Sequence, residues 1–191
     1  GDIRYRDVND DGVISEDDMV WASNPSTPES MFGFGASLAY KGFDFSFLMQ
    51  GALGGTSYLS AGWYFQPFQA EREPKFMGNL ITKFRDRWTE DNPNPHAFSP
   101  RLFMGQNVNN YKTSTWWVRN SDYLRLKNVE IGYTLPKHLS AKAKIDNARI
   151  YLSAVNLYTF SKFGREFWDP EVGADSYPIQ ATVFVGLNLT F

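Results

Sequence analysis

The sequence contains no cysteine and no long apolar run. The missing cysteine excludes disulfides, thiolate metal ligands and a cysteine nucleophile. A membrane-spanning helix needs about 20 predominantly apolar residues in succession, so the sequence predicts no such helix. No basic stretch followed by an apolar core opens the chain, so a signal peptide is not expected in these residues.

A strong excess of charge is also missing. The 19 Lys and Arg residues against 21 Asp and Glu residues give a net charge of −2. Nucleic-acid binding is therefore not expected, because it requires a basic surface. The two histidines, His96 and His138, are far apart and lack metal-ligand spacing. No spacing typical of catalytic residues is present, and the sequence does not predict an enzyme.

Aromatic residues are abundant, by contrast. They make up 17% of the chain, while the mean hydropathy is only −0.41. A transmembrane β-barrel combines these two properties, because its strands alternate apolar and polar residues and aromatic girdles mark both membrane interfaces. Carbohydrate-binding β-domains are also rich in aromatic residues. Composition therefore leaves both classes of protein open.

The last ten residues show the clearest alternation. From Thr182 the even positions are mostly small or polar, whereas the odd positions are all apolar: Val183, Val185, Leu187, Leu189 and Phe191. A period of two places these sets on opposite faces of a strand. About ten residues suffice for a tilted strand to cross a bilayer. An amphipathic strand of a soluble sandwich would share the pattern.

Four earlier segments repeat this alternation and predict an all-β protein with about five antiparallel strands. Two of them, 31–40 and 43–53, are joined by the tight turn Lys41-Gly42, which predicts a hairpin. The others lie at about 122–135 and 148–160. In the third strand the apolar phase slips by one residue, which predicts a β-bulge near Lys127 and Asn128.

Short and long connections alternate along the chain, as they do in outer-membrane barrels. The turn at 41–42 and the connection 136–147 are short, whereas 54–121 and 161–179 are long. If the chain ends on the periplasmic side, residues 1–30 form an external loop and 31–191 form barrel strands and loops. Helical spacing of Leu80, Ile81, Phe84 and Trp88 predicts a short helix in loop 54–121.

An acidic turn near the start carries the strongest local motif. It matches the D-x-[DN]-x-[DN]-G pattern of calcium loops, in which a glycine at the sixth position permits the sharp turn. The pattern predicts Ca²⁺, or Mg²⁺ as the alternative, bound by Asp7, Asn9, Asp11, the Val13 carbonyl and Asp18. A bound cation would stiffen the loop. The other interpretation is a solvated acidic turn without an ion.

Aromatic residues in the long loops are candidates for substrate contact, because rings stack on sugars and clasp peptides. The residues singled out are Trp63, Tyr64, Trp116, Trp117 and Trp168, and the flanking Phe65 and Phe167 share the pattern. Packing within a loop, or a place in an interfacial girdle, would explain each ring equally well.

Several short motifs occur in order along the chain. They read GDIRYRD at 1–7, FGF at 32–34, YKGFD at 40–44, SDYLRLKNV at 121–129, GYTLP at 132–136, NLYTF at 156–160 and DPE at 169–171, with Phe191 as the last residue. Together they resemble the C-terminal part of the SusC/RagA family of TonB-dependent outer-membrane transporters. The match spans essentially the whole chain.

The resemblance implies more than the residue patterns do. Family members are barrels of about 22 strands with an N-terminal plug that engages TonB. They pair with a SusD-like surface lipoprotein and import oligosaccharides, glycans or peptides. The plug and most of the barrel lie outside these 191 residues. The expectation is thus one wall of a transporter, and the alternative is a secreted, calcium-stabilised carbohydrate-binding β-domain.

Overall fold

The computed structural model describes residues 1–21, 26–59, 82–103, 107–110, 112–140, 142, 144–166, 168–172 and 176–191. The chain divides into two compact units. Unit 1 comprises Gly1–Ser23 and Tyr58–Arg119, and unit 2 comprises Asn24–Ser57 and Asn120–Phe191. Each helix of the described residues is too short or too polar to span a membrane.

The described elements are mostly strands. In chain order they are β1 (Ser30–Tyr40), β2 (Phe43–Leu53), β3 (Thr56–Tyr58), β4 (Val118–Asn120), β5 (Tyr123–Thr134), β6 (Asn147–Phe160) and β7 (Thr182–Thr190). The two short α-helices are α1 (Lys137–Ser140) and α2 (Lys162–Glu166). The predicted all-β class and the five long strands are confirmed.

The five long strands form one antiparallel sheet in the order β1-β2-β5-β6-β7. The turn between β1 and β2 is the predicted two-residue connection, with Lys41 and Gly42 both at positive φ, 48° and 87°. This backbone shape matches the strand twist, and glycine adopts it without steric cost. A separate two-stranded sheet pairs β3 with β4, neither of which the sequence pattern predicted.

The predicted bulge in β5 is confirmed. Leu126 pairs with Met49 of β2, and Asn128 pairs with Leu48, so Lys127 has no direct partner on that strand. The pairing of β5 with β6 shifts at the same place. One additional residue in a strand exchanges the two faces of everything beyond it. The bulge therefore brings Leu124 and Leu126 onto the same face as Val129 and Ile131.

Unit 1 is irregular around a small apolar core that includes Ile3, Leu59, Phe84, Phe98 and Trp117. The helix predicted from Leu80 to Trp88 is correct only in part. Leu80 and Ile81 lie outside the described residues, and the helix that is seen is a four-residue 3-10 turn, Thr82–Arg85. Arg87 instead forms a β-bridge with Ser99, so the helical spacing does not extend to Trp88.

Candidate functional site

The sheet of unit 2 has one face without charge. Directly paired residues of an antiparallel sheet point to the same side, so the register defines the face. In the described strands its members are Phe32, Phe34, Ala36, Leu38 and Tyr40 of β1, Phe43, Phe45, Phe47, Met49 and Gly51 of β2, Leu124, Leu126, Val129, Ile131 and Tyr133 of β5, Ala148, Ile150, Leu152, Ala154, Tyr158 and Phe160 of β6, and Val183, Val185, Leu187 and Leu189 of β7. Most of the large apolar residues among them are exposed.

Aromatic rings border this face at two levels. At one level Tyr40, Phe43 and Tyr133 are neighbours in one row, and the rings of Phe43 and Tyr133 are 4.5 Å apart. At the other level are Phe32, Phe34, Tyr158 and Phe160. Phe32 and Tyr40 are eight residues apart on β1, about 27 Å along the strand. At the tilt of about 40° that barrel strands have, this length covers a height of about 21 Å. Transmembrane barrels carry an apolar band about 25 Å tall between two aromatic girdles.

The opposite face of the sheet is polar and carries a charge cluster. Arg149 of β6 donates to Asp44 of β2, with Nε 3.0 Å from Oδ1, and to Glu130 of β5, with Nη2 2.6 Å from Oε1. Nη2 also donates to the second Asp44 oxygen. Two carboxylates on one guanidinium leave this cluster with an excess of one negative charge.

Two glycines of the polar face lie beneath large side chains. A Cβ atom on Gly132 would collide with the guanidinium of Arg149, and a Cβ atom on Gly186 would collide with the ring of Tyr151. The absence of a side chain thus lets Arg149 and Tyr151 lie flat across the sheet. The guanidinium carbon of Arg149 is 5.0 Å from the centre of the Tyr151 ring.

A buried ion pair joins β5 to the segment that follows α2. The side chain of Arg125 is 1% exposed and that of Asp169 is 8% exposed. Nη2 of Arg125 lies 2.7 and 2.8 Å from the two Asp169 oxygens. Glu171 is a second ionic partner, 3.2 Å from Nη1, although neither Nη1 nor Nε has a hydrogen bond within the described residues. The pair fixes the loop between β6 and β7 to the sheet.

The acidic turn of unit 1 is held by its own side chains. Oδ2 of Asp7 accepts the N–H of Gly12 at 2.8 Å, and Oδ1 of Asp11 accepts the N–H of Val13 at 2.7 Å. Asp18 accepts the N–H of Ser15 and of Val8, and these backbone hydrogen bonds lower the pKa of its carboxyl. Gly12 is at φ 82°, the conformation that the motif requires of a glycine.

Among the five predicted ligands, the turn brings the side chains of Asp7, Asn9 and Asp11 into one bend and closes it with Asp18. Oδ1 of Asp7 is shielded from solvent and has no hydrogen-bond partner in the described part of the chain. Across those residues, no group of three or more His, Cys, Asp or Glu side chains is arranged to hold a metal ion. Cation binding thus stays a prediction.

A second polar network, which the sequence did not suggest, anchors the first residues of unit 1. Asp2 accepts hydrogen bonds from Arg101 Nε and Nη2, both at 2.8 Å, and from Asn110 Nδ2 at 2.9 Å. The hydrogen bonds from Arg101 and, secondarily, Asn110 lower the pKa of Asp2 to about 2. Ile3 adds an N–H bond to Asn110 Oδ1 at 2.8 Å.

The aromatic candidates have different environments. Trp63 and Tyr64 lie outside the described residues, as do Phe65 and Phe167. Trp117 is 1% exposed and its indole N–H donates to the Asn110 carbonyl at 2.9 Å, so packing in the core of unit 1 describes this ring. Trp116 is half-buried, and Trp168 is half-buried with its N–H bonded to the Ser176 carbonyl at 2.9 Å. Substrate contact stays a prediction for this set.

Comparisons with known proteins agree with this geometry. The chain is 33% identical to TonB-dependent receptor P26 of Formosa agariphila, across all of this chain and 20% of that protein. It is 24% identical to TonB-dependent receptor SusC of Bacteroides thetaiotaomicron, across 98% of this chain and 17% of SusC. The chain thus spans about a fifth of the length of these relatives. No family model matches it.

Solved structures of the RagAB peptide importer give the same result. In its open-open state the similarity has a TM-score of 0.69 at 27% identity, covering 94% of this chain and 19% of the matched one. A second structure, of the RagAB peptide transporter, gives a TM-score of 0.71 at 26% identity with the same coverage.

Together, the antiparallel sheet with one uncharged face and these relatives identify the chain as part of a TonB-dependent receptor. More specifically, it belongs to the SusC/RagA type and corresponds to the C-terminal part of such a protein. The resemblance seen in the sequence motifs is thereby confirmed.

Proposed function

We propose that this chain is a wall of an outer-membrane transporter, with the uncharged face of its sheet against lipid and the polar face toward the barrel lumen. The single observation that supports this most strongly is the uncharged face itself. Burial in hydrocarbon explains an exposed apolar surface across five strands, because patches larger than a few hundred Å² are rare on soluble monomers. Pairing with further strands of the full-length protein would satisfy the edges of β1 and β7.

Labelling with single cysteines tests the membrane placement, since these residues contain none of their own. Val185→Cys, on the uncharged face, and Asn188→Cys, on the polar face, are introduced into the full-length protein and labelled with an environment-sensitive fluorophore. Brominated lipids should quench the label at position 185 strongly and the label at position 188 weakly. Equal quenching at both positions would contradict the proposed placement.

We further propose that the whole protein imports a nutrient, either an oligosaccharide or a peptide, with energy from TonB and with a SusD-like lipoprotein as its partner. The relatives are named as receptors and transporters rather than enzymes, and RagAB is named as a peptide importer. Deletion of the gene should abolish growth on the transported nutrient and not on its monomers. Growth of the deletion strain on panels of oligosaccharides and of peptides distinguishes the two substrate classes.

For the acidic turn, we propose that a calcium ion stiffens it, with Asp7, Asn9, Asp11, the Val13 carbonyl and Asp18 as ligands. Support comes from the match to the motif and from the unpartnered Oδ1 of Asp7. Chelation of calcium should increase hydrogen exchange at residues 7–18 in the full-length protein. The variant Asp11→Asn should require more calcium for the same protection. Hydrogen exchange that is unaffected by both chelation and this substitution would refute calcium binding.

The secreted carbohydrate-binding β-domain is the second function considered from the sequence. It accounts for the aromatic content and the acidic turn. The comparisons do not favour it, because the relatives are TonB-dependent receptors across the full length of this chain.

A further inference from the structure

Four exposed lysines lie at one end of the five-stranded sheet. Lys41 is in the turn between β1 and β2, and Lys137, Lys142 and Lys144 are in the connection between β5 and β6. The sheet order brings these two connections to the same end, because β2 and β5 are adjacent antiparallel strands. We name these four residues the basic rim.

One lysine of the basic rim, Lys41, lies beside the uncharged face. Lys41 Nζ is 5.1 Å from the centre of the Tyr40 ring, which is 70% exposed and belongs to the aromatic row at this end. Tyrosine and tryptophan rings at the edge of a membrane protein lie at the level of the lipid headgroups. A lysine just beyond such a row extends its ammonium group into the headgroup layer.

Charge is distributed unequally between the two ends of the sheet. The two connections that carry the basic rim contain one acidic residue, Asp146. On the adjoining strands, Asp44 and Glu130 share Arg149, which leaves one excess negative charge on the polar face against the four lysines. Among the described residues of unit 2 in the connections at the opposite end, the basic residues Lys162 and Arg165 are outnumbered by acidic ones, namely Glu29, Asp122, Glu166, Asp169 and Glu171. One end alone is therefore suited to an anionic surface.

We propose that the basic rim binds the headgroups of anionic phospholipids. The inference rests on the proposed function, because it requires the uncharged face to lie in a bilayer. Lysines spread over two connections fit an extended layer of phosphates better than one enclosed anion. Each lysine near an anionic membrane surface contributes about 1 kcal/mol, roughly a fivefold change in affinity. The short connections place the rim on the periplasmic side, where it would face the inner leaflet.

Relative lipid affinity in a mixed bilayer tests the proposal. The full-length receptor with Leu187→Cys is labelled with a fluorophore and reconstituted in phosphatidylcholine that contains increasing amounts of brominated phosphatidylglycerol. Quenching of the fluorophore measures how often phosphatidylglycerol lies next to it. The control uses brominated phosphatidylcholine with unbrominated phosphatidylglycerol. Position 187 is in the same row as Tyr133 of the aromatic row, so its label reports on lipid near the rim. The intact rim should give several-fold preference for phosphatidylglycerol, weaker at high salt.

Neutralising variants provide the matched comparison. K144Q should lower the preference in part, and K41Q/K137Q/K142Q/K144Q should bring it close to unity. K162Q removes a lysine at the opposite end of the sheet and should leave the preference unchanged. An equal loss with K162Q, or no preference in the unsubstituted protein, would overturn the proposal. So would competition by inorganic phosphate at low concentration, which would indicate a site for a free anion.

The receptor's heat-modifiable electrophoretic mobility separates the two levels of failure. A folded barrel band without lipid preference would refute the basic rim alone. Absence of a folded barrel in every bilayer would refute the proposed function, and the proposal of lipid binding by the basic rim, which rests on it, would be refuted as well.

Discussion

Leu152→Arg is the sharpest test of the uncharged face. Leu152 is on β6 between Ile131 and Val185, its neighbours on β5 and β7, and its side chain is 46% exposed in this structure. The position is inside the band between the two aromatic levels. If the band lies in hydrocarbon, an arginine there costs about 2–4 kcal/mol. If the same face lay in water, an exposed substitution would change stability by no more than about 0.5 kcal/mol.

The adjacent residue provides a matched control. Ser153 is next to Leu152 in the same strand, but it points to the polar face and pairs with Glu130. An arginine at position 153 would lie beside a carboxylate and should be tolerated. The two variants thus share their chemistry, their strand and nearly their position in the sequence, and they differ in the face that receives the charge.

Reversible folding of the full-length protein into lipid vesicles, followed by denaturant titration, measures both variants. For Leu152→Arg the folded-to-unfolded ratio should fall by about 30-fold to about 900-fold. For Ser153→Arg it should stay close to that of the unsubstituted protein. Similar losses for the two variants would show that strand pairing or packing, rather than lipid contact, determines the outcome, and the reasoning from the faces would be refuted.

Two further predictions concern ion pairs. Arg125→Met leaves the Asp169 carboxylate buried without its partner and should destabilise the fold by about 3–5 kcal/mol. Faster proteolysis within residues 161–181 would measure this loss of stability. The double variant Arg125→Met/Asp169→Leu should recover most of the lost stability, and a double variant as unstable as the single one would contradict the pairing. Asp2→Asn should destabilise unit 1 by about 1 kcal/mol at neutral pH. The pKa of Asp2 is lowered from 3.8 to about 2, but the partly exposed position of the carboxylate weakens its ion pair with Arg101. The stabilisation by the Asp2 carboxylate is full above pH 3.8 and is lost as the pH falls through about 2. Hydrogen exchange at residues 98–110, corrected for intrinsic rates, should therefore be faster in Asp2→Asn than in the unsubstituted protein at neutral pH, and equal in the two proteins below about pH 2.

The sheet could be predicted from the sequence because strand alternation is a local signal. A period of two in each segment gave the five long strands and their faces, and the phase slip at Lys127 gave the bulge. The two-residue turn at Lys41 fixed the register of the first hairpin. Each of these features depends on residues that are close in sequence, and the membership of the face follows from them.

The polar contacts could not be predicted in the same way. Arg125 and Asp169 are separated by 44 residues, and Asp2 and Arg101 by 99, so no spacing connects them. The acidic residues after α2 were visible in the sequence, but their partner was not. Trp116 and Trp117 are adjacent in sequence, yet only Trp117 is in the core, since the 3-10 turn Thr115–Trp117 directs consecutive side chains differently.

If the polar face lines a barrel lumen, as proposed, Gly132 and Gly186 limit how far its side chains extend into that lumen. Because Arg149 and Tyr151 rest on these two residues, the long side chains occupy little depth above the backbone. Even one methyl group at either position would lift a guanidinium or a phenol outward by the thickness of that group. In a transporter, the absence of a side chain at these two positions would then leave more width in the lumen for the transported molecule.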